Sequence, residues 1–228
     1  VVLLIKKLRK KKYDLAVDLR SDGILYFLKA KKKLFKISNQ SSLKIHSVKK
    51  HFLSISKVVD DNIPLTTIWL SEYEKNLTNK IFSKYKNNRL LTIGIGANFD
   101  GKIWDISNYI KLASILNELF DVIILVGDKN DATLSKKFAL GYKGKIVDCC
   151  GIYNLLETAA IIKKSNFFVG NDSGLGHIAS AVKTKSFTIF GVGEPHRYSP
   201  WGTDVLWIQD RNYEINNINP KTIANKIV

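Results

Sequence analysis

Short apolar segments alternate with longer helical patterns through the last 140 residues, and this alternation constrains the fold more than any other feature. The predicted strands are rich in Ile, Leu, Val and Phe, and they cover residues 90–95, 121–126, 145–148, 166–169, 186–190 and 205–208. Helices are predicted around residues 110–119, 130–140, 155–162 and 174–182, with Ser107 as the first N-cap and a last helix opened by Asn219 and Pro220. Such alternation indicates βαβ units. We predict a doubly wound α/β domain over residues 89–228.

The first 88 residues repeat this rhythm less clearly. Their pattern predicts strands at 15–19 and 33–37, a short helix at 23–30 and a long amphipathic helix at 68–85. We interpret residues 1–88 as part of a second α/β domain whose first strands are absent. In open parallel sheets, ligands bind beyond the carboxyl ends of the strands, so the loops that follow the predicted strands are the candidate sites.

The positive charge is concentrated near the start of the chain. The net charge is +16, and residues 1–57 hold 16 Lys and Arg against three Asp. This asymmetry indicates an anionic partner for the first lobe; a Lys-rich, compositionally biased genome explains it equally well. The runs at 10–12 and 31–33 lie beside predicted strands, and no nucleic-acid-binding motif accompanies them, so no nucleic-acid partner is expected.

Three further features bear on the class of protein. No apolar run approaches the roughly 18–20 residues that a spanning helix requires, so none is expected. Cys149 and Cys150 are adjacent, which disfavours a bridge between them or a four-ligand metal site and indicates a reduced, cytoplasmic protein. The chain contains no Met, so we expect that it begins downstream of its natural start.

The loop at 94–104 follows the predicted strand 90–95 and combines small residues with Asn98 and Lys102. A small-residue turn lets backbone N–H groups approach an anion, and Lys102 supplies a point charge for a phosphate. The loop lacks the arrangement of a Walker A motif. Taken alone, it is also consistent with an ordinary tight turn.

The loop at 168–179 places polar residues and glycines between an apolar strand and an Ala-rich helix. Ser173 can cap that helix, Gly174 leaves its first amides uncovered for an anion, and His177 falls in its first turn. A simple helix cap with a solvent-exposed histidine is the alternative. A serine-hydrolase elbow is excluded, because Asn171 and Leu175 stand where that motif requires glycine.

Two other loops carry candidate groups. Asp128 and Asp131 follow the strand at 121–126, where a carboxylate either caps the next helix or accepts hydrogen bonds from a ribose. The loop at 191–202 offers Glu194, His196 and Arg197 to a cleft, or packs beneath Trp201. The sequence contains no Asp-x-Asp triplet, which disfavours a metal-dependent nucleotide-sugar site of that kind.

Taken together, these loops resemble the ADP-heptose:lipopolysaccharide heptosyltransferases of glycosyltransferase family 9. The resemblance rests on Gly96-Ala97-Asn98 with Lys102-x-Trp104, Gly127-Asp128-x-x-Asp131, Gly170-Asn171-Asp172-Ser173-Gly174-x-x-His177 and Phe190-Gly191, in that order. Residues 13–20 are similar to a strand of the family's first domain. The resemblance covers most of the chain, and its most specific part is the stretch from Asn171 to His177.

The resemblance implies a GT-B-like fold of two Rossmann-like domains facing a cleft. Residues 1–88 would form a partial acceptor-side domain and residues 89–228 the nucleotide-sugar-binding domain, with the last helix packing back on the first. It also implies inverting, metal-independent transfer of a heptose-like sugar from ADP-heptose to a lipopolysaccharide core acceptor, without a cofactor. A nucleotide-sugar-binding module without catalysis, or a relative that uses another donor sugar, is the alternative.

The resemblance also assigns roles to residues. Asn98 and Lys102 would bind the diphosphate, with Lys102 stabilising the leaving group, and Asp131 would lie near the ribose. The phosphates and sugar hydroxyls would be held by Asp172, Ser173, Gly174 and His177. The family's general base precedes the region where this chain starts, so we expect these 228 residues to bind donor without catalysing transfer. The acceptor would be an anionic, lipid-linked glycan, with peripheral contact at the inner face of the cytoplasmic membrane through the basic lobe.

Overall fold

The computed structural model describes residues 2–20, 23–36, 45–59 and 62–228. The chain divides into two compact units. Unit 1 comprises Val1–Pro64 with His196–Tyr198, and unit 2 comprises Leu65–Pro195 with Ser199–Val228. Residues 65–88 therefore group with the second unit. The assignment of acceptor-side and donor-side roles to residues 1–88 and 89–228 stays a prediction.

Unit 1 contains a small parallel sheet. Strand β1 (Tyr13–Asp18) pairs with β2 (Ala30–Phe35), and helices α1 (Val2–Leu8) and α2 (Ser47–Leu53) flank them in sequence. The predicted helix at 23–30 is instead a single 3-10 turn, Ile24–Phe27. Strand β2 begins three residues earlier than predicted, because its Lys-rich start pairs with β1 even though it is not apolar; Ile37 lies outside the described residues.

Unit 2 is built on a six-stranded parallel sheet with the strand order β5-β4-β3-β6-β7-β8. The strands are β3 (Leu90–Gly94), β4 (Val122–Val126), β5 (Lys145–Asp148), β6 (Phe167–Asn171), β7 (Ser186–Phe190) and β8 (Val205–Gln209). All six predicted strands are confirmed, as is the α/β class with parallel sheets. Strands β4 and β5 follow β3 toward one edge of the sheet, whereas β7 and β8 follow β6 toward the other edge. The direction of the strand order therefore reverses between the neighbouring strands β3 and β6.

Helices cover both faces of this sheet. They are α3 (Glu72–Ile81), α4 (Ile106–Ile115), α5 (Ala132–Gly141), α6 (Leu155–Lys164), α7 (Gly174–Ala181) and α9 (Pro220–Ile227), whereas three of the four residues of the short α8 (Pro195–Tyr198) group with unit 1. Two separate clusters of buried apolar side chains lie on the two faces. Residues of β3, β4, β6 and β7 are buried throughout, as expected of central parallel strands. No helix of the described ranges has the length and apolarity that crossing a bilayer requires.

Local capping decides where two helices begin, and both predicted starts are wrong. The helix predicted over 68–85 begins only at Glu72, because Ser71 and Glu74 form a reciprocal capping box there. The predicted N-cap Ser107 lies inside α4; the cap is Asp105, whose Oδ1 accepts the backbone N–H of Ser107 at 2.7 Å. The predicted cap Asn219 is confirmed, since its Oδ1 accepts from Lys221 N at 2.9 Å.

The two cysteines follow β5 and are both buried as free thiols. Cys149 packs in the apolar cluster on one face of the sheet, and Cys150 packs in the cluster on the other. Burial and, to a smaller extent, Asp148 raise the pKa of Cys149 to about 12. Burial raises the pKa of Cys150 as well, assisted by Asp148 and Asp131. Both thiols are therefore held in their neutral, unreactive form.

We expect both cysteines to resist alkylation in the folded protein. At pH 8 a thiol with a pKa of about 12 is ionised to roughly one part in 10⁴, whereas an unperturbed thiol is ionised to about a quarter. Iodoacetamide labelling followed by mass spectrometry should be at least about 10³-fold slower in buffer than in urea. Rapid labelling of either cysteine without denaturant would contradict this packing.

Candidate active site

A cavity of about 740 Å³ opens at the carboxyl ends of the central strands of unit 2. Loops that follow β3, β4, β5 and β6 all contribute to its wall, so it lies beside the point where the strand order reverses. This is the position where open parallel sheets bind ligands. The lining residues are Gly96, Ala97, Asn98, Gly127, Asp128, Asn130, Asp131, Tyr153, Leu155, Thr158, Ser173, Gly174, Leu175 and Ile178.

Asn171, the last residue of β6, holds the loop after β3 in place. Its side chain is fully buried, and its Oδ1 accepts hydrogen bonds from Trp104 N at 3.0 Å and from the Tyr109 hydroxyl at 2.9 Å. Its Nδ2 donates to the carbonyls of Ile95 at 3.0 Å and Gly96 at 3.3 Å. One amide thus joins the two central strands at the edge where the cavity opens. The sequence reasoning gave Asn171 no role; a polar residue that ends an apolar strand was the available signal.

Asp131 lies against the two glycines that begin the loops after β3 and β4. A Cβ on Gly96 or on Gly127 would collide with its carboxylate, so both positions need glycine for this close approach. Asp131 Oδ2 accepts the backbone N–H of Asp128 at 2.8 Å. Burial raises the pKa of Asp131, and Asp128 adds to that effect, while the hydrogen bond opposes it. The carboxylate is therefore held within the cavity wall.

Helix α7 presents its N-terminus to the same cavity. Ser173 occupies the N-cap position, but its side chain makes no capping hydrogen bond, which corrects the prediction that it caps the helix. A capping hydroxyl could accept the backbone N–H of Gly176, but that N–H donates to the Ser173 carbonyl at 3.2 Å. The Ser173 Oγ is buried and has no hydrogen-bond partner among the described residues. Open space surrounds Gly174, so a ligand can approach the first amides of the helix.

Lys102 and Asp172 form an ion pair, and Asp172 lies two residues before the first residue of α7. Lys102 Nζ lies 2.5 Å from Asp172 Oδ2, and the two side chains are 32% and 12% exposed. Lys102 ends a 3-10 turn in the loop after β3, whereas Asp172 directly follows β6. The pair therefore adds a second tie between the two central strands, and it places a cation and an anion at the carboxyl edge of the sheet.

The structure brings together some of the predicted site residues. Asn98, Asp131, Ser173 and Gly174 line the cavity, whereas the paired Lys102 and Asp172 do not. His177 is exposed on α7 and also lies outside the cavity lining. Of the other candidates, the lining includes Asp128 but not Glu194, His196 or Arg197. The roles that the resemblance implies for these residues, and the expected absence of the general base, stay predictions.

Comparison with known proteins places the chain in a family. The model of glycosyltransferase family 9 (heptosyltransferase) matches residues 1–227. The chain belongs to this family. Lipopolysaccharide heptosyltransferase 3 of Escherichia coli K12 is 25% identical over 237 residues, covering 94% of this chain and 69% of that protein. Lipooligosaccharide heptosyltransferase 2 of Campylobacter jejuni is 26% identical over 198 residues, covering 83% of this chain and 62% of that protein.

Solved structures share the fold. A family 9 glycosyltransferase from Veillonella parvula superposes with a TM-score of 0.85 at 16% identity, over 98% of this chain and 75% of that one. The E. coli ADP-heptose lipopolysaccharide heptosyltransferase II gives a TM-score of 0.79 at 18% identity, over 99% and 78%. An E. coli heptosyltransferase solved with ADP gives 0.74 at 16% identity, over 99% and 75%. These structures confirm the predicted α/β fold, and the family model confirms the predicted family.

We expect Asn171→Ala to destabilise unit 2 by about 3 kcal/mol, because it leaves buried donors and acceptors on Trp104, Tyr109 and the loop after β3 without partners. Urea unfolding measures the change. The matched control is Asn117→Ala, an exposed asparagine in the turn after α4, which should change the free energy of unfolding by less than about 0.5 kcal/mol. If both variants unfold at the same urea concentration, Asn171 does not brace the site.

Proposed function

We propose that this glycosyltransferase moves a heptose from ADP-heptose to a hydroxyl of a lipopolysaccharide core acceptor, and that ADP-heptose binds in the cavity at the ends of β3 and β6. One observation carries the proposal. The cavity of a family 9 member is bordered by the open N-terminus of α7, where Gly174 is unobstructed and the Ser173 hydroxyl has no partner among the described residues. Both features suit a diphosphate.

The phosphate end of the donor is assigned to the start of α7. The first amides of a helix have no intrahelical acceptors, and the helix dipole favours negative charge at this end. Ser173 adds a buried hydroxyl that has no hydrogen-bond partner among the residues that the structure describes. Asn98 also lines the cavity, on the loop that Asn171 holds in place. The diphosphate would thus receive neutral hydrogen-bond donors in addition to the charge of Lys102.

The nucleoside end of the donor is assigned to the remainder of the cavity. Its volume of about 740 Å³ is within the range of small-molecule sites. Tyr153, Leu155 and Leu175 supply an apolar wall for a base, and the partly buried carboxylate of Asp131 supplies an acceptor for ribose hydroxyls. His177, on the first turns of α7, is assigned to the sugar hydroxyls.

The chemistry needs charge stabilisation at the leaving group. In an inverting transfer, the acceptor hydroxyl gives its proton to a general base while its oxygen attacks the anomeric carbon, the bond from that carbon to the β-phosphate oxygen breaks, and ADP departs. Negative charge grows on the β-phosphate as this bond breaks. Lys102 supplies a cation here, because its Nζ is held 2.5 Å from the carboxylate of Asp172, which lies two residues before α7. A fixed charge stabilises the transition state without a metal ion.

The acceptor is proposed to be an anionic, lipid-linked glycan. Residues 1–57 carry 16 Lys and Arg against three Asp, and many of these side chains are exposed in the described part of unit 1. Each Lys or Arg near an anionic membrane surface contributes about 1 kcal/mol of binding. We propose peripheral contact with the inner face of the cytoplasmic membrane on this basis.

A transfer assay with purified lipopolysaccharide core acceptor tests the donor assignment. With the intact protein and EDTA present, ADP-heptose should be consumed and ADP released in step with acceptor glycosylation. UDP-sugars and GDP-sugars are the comparison donors. Turnover of one of these in preference to ADP-heptose would overturn the donor assignment while leaving the site in place.

Removing the charge of Lys102 should slow the chemical step. We expect Lys102→Ala to lower kcat by about 10²–10³-fold, the loss typical of one electrostatic stabiliser in a shielded site. Lys102→Arg should recover part of the rate, because a planar guanidinium does not replace a compact ammonium. The control is Lys185→Ala, an exposed lysine at the opposite, amino edge of the sheet. Unchanged turnover in Lys102→Ala would leave the loop with a purely structural role.

A further inference from the structure

Gln209 ends the edge strand β8, and its side chain clamps the loop that follows β7. In the strand register Gln209 lies opposite Phe190, the last residue of β7. Its Nε2 donates to the carbonyl of Gly191 at 2.8 Å and to the carbonyl of Gly193 at 3.0 Å. Both protons of one amide nitrogen are therefore used on two carbonyls of the same loop, which limits how that loop can move.

The clamped loop in turn contacts the residues around the Lys102–Asp172 ion pair. A Cβ on Gly193 would lie 3.3 Å from Asp172 Oδ2, so the backbone of the loop borders the carboxylate oxygen that holds Lys102. A Cβ on Gly191 would collide with the carbonyl oxygen of Gly101, so the loop also borders the turn that carries Lys102. The approach at Gly191 leaves no space for a side chain, and a Cβ at Gly193 would require Asp172 to shift by a few tenths of an ångström.

We propose that Gln209 is a positioning residue for transfer, acting through the loop 191–193 on the Lys102–Asp172 pair. The proposal rests on the proposed role of Lys102. Without the two hydrogen bonds, the loop can move away from Asp172, and the ion pair gains room to shift. Small displacements of a stabilising group cost large factors in rate, because its interaction with the developing charge depends on position.

The test uses Gln209→Leu, which keeps the approximate size of the side chain and removes both donors. In the intact protein, kcat should fall about tenfold, with less than a twofold change in the KM for the donor. Leu206→Ala, an exposed position on the same strand, should leave kcat unchanged. Gln209→Glu, in which a carboxylate faces the two carbonyls, should lower kcat at least as much and serves if the leucine variant does not fold.

The double variant distinguishes positioning from a general loss of structure. If Gln209 acts through Lys102, adding Gln209→Leu to Lys102→Ala should lower kcat by less than twofold further. A tenfold effect in both backgrounds, or no effect in either, would overturn the proposal. A different result would contradict the proposed function itself: the unsubstituted protein would turn over no nucleotide sugar. In that case hydrogen exchange decides: Gln209→Leu should accelerate exchange across 99–104 and 191–194, and unchanged exchange there would overturn the clamp.

Discussion

A single buried amide holds the candidate active site together. Asn171 is inaccessible to solvent, and all four of its hydrogen bonds go to the segment 95–109, more than sixty residues earlier in the chain. Burying an amide is unfavourable unless its polar atoms find partners. Because these partners belong to the loop after β3 and to α4, the amide at the end of β6 fixes the relative position of the two central loops.

The rest of the site depends on how closely the loops approach one another. Asp131 packs on Gly96 and Gly127, and the loop after β7 packs on Gly101 and on Asp172. These approaches bring the loops together at one edge of the sheet, where Gly174 at the start of α7 is unobstructed. In this arrangement the sheet fixes the positions of the loops, and the loops supply the polar groups that line the cavity.

Much of the fold was predictable because the strands of unit 2 are short apolar segments that the sequence shows directly, and each of the six predicted strands is present. The predictions were wrong where an interaction other than the apolar pattern set the boundary of a helix or strand. The helix at Glu72 starts at a local capping box, and β2 begins in a Lys-rich segment that only strand pairing explains. The loops that form the site were predictable from the sequence, whereas the contacts between their residues were not. The partners of Asn171, and the route from Gln209 to Lys102, join residues that lie far apart in the chain.

The proposed site for the donor nucleotide is the cavity at the ends of β3 and β6. A crystal structure of the intact protein with ADP tests it most directly. We expect the diphosphate within hydrogen-bonding distance of Gly174 N and Ser173 Oγ, with the ribose against Asp131. A structure with ADP bound at any other edge of the sheet, while this cavity holds only solvent, would contradict it.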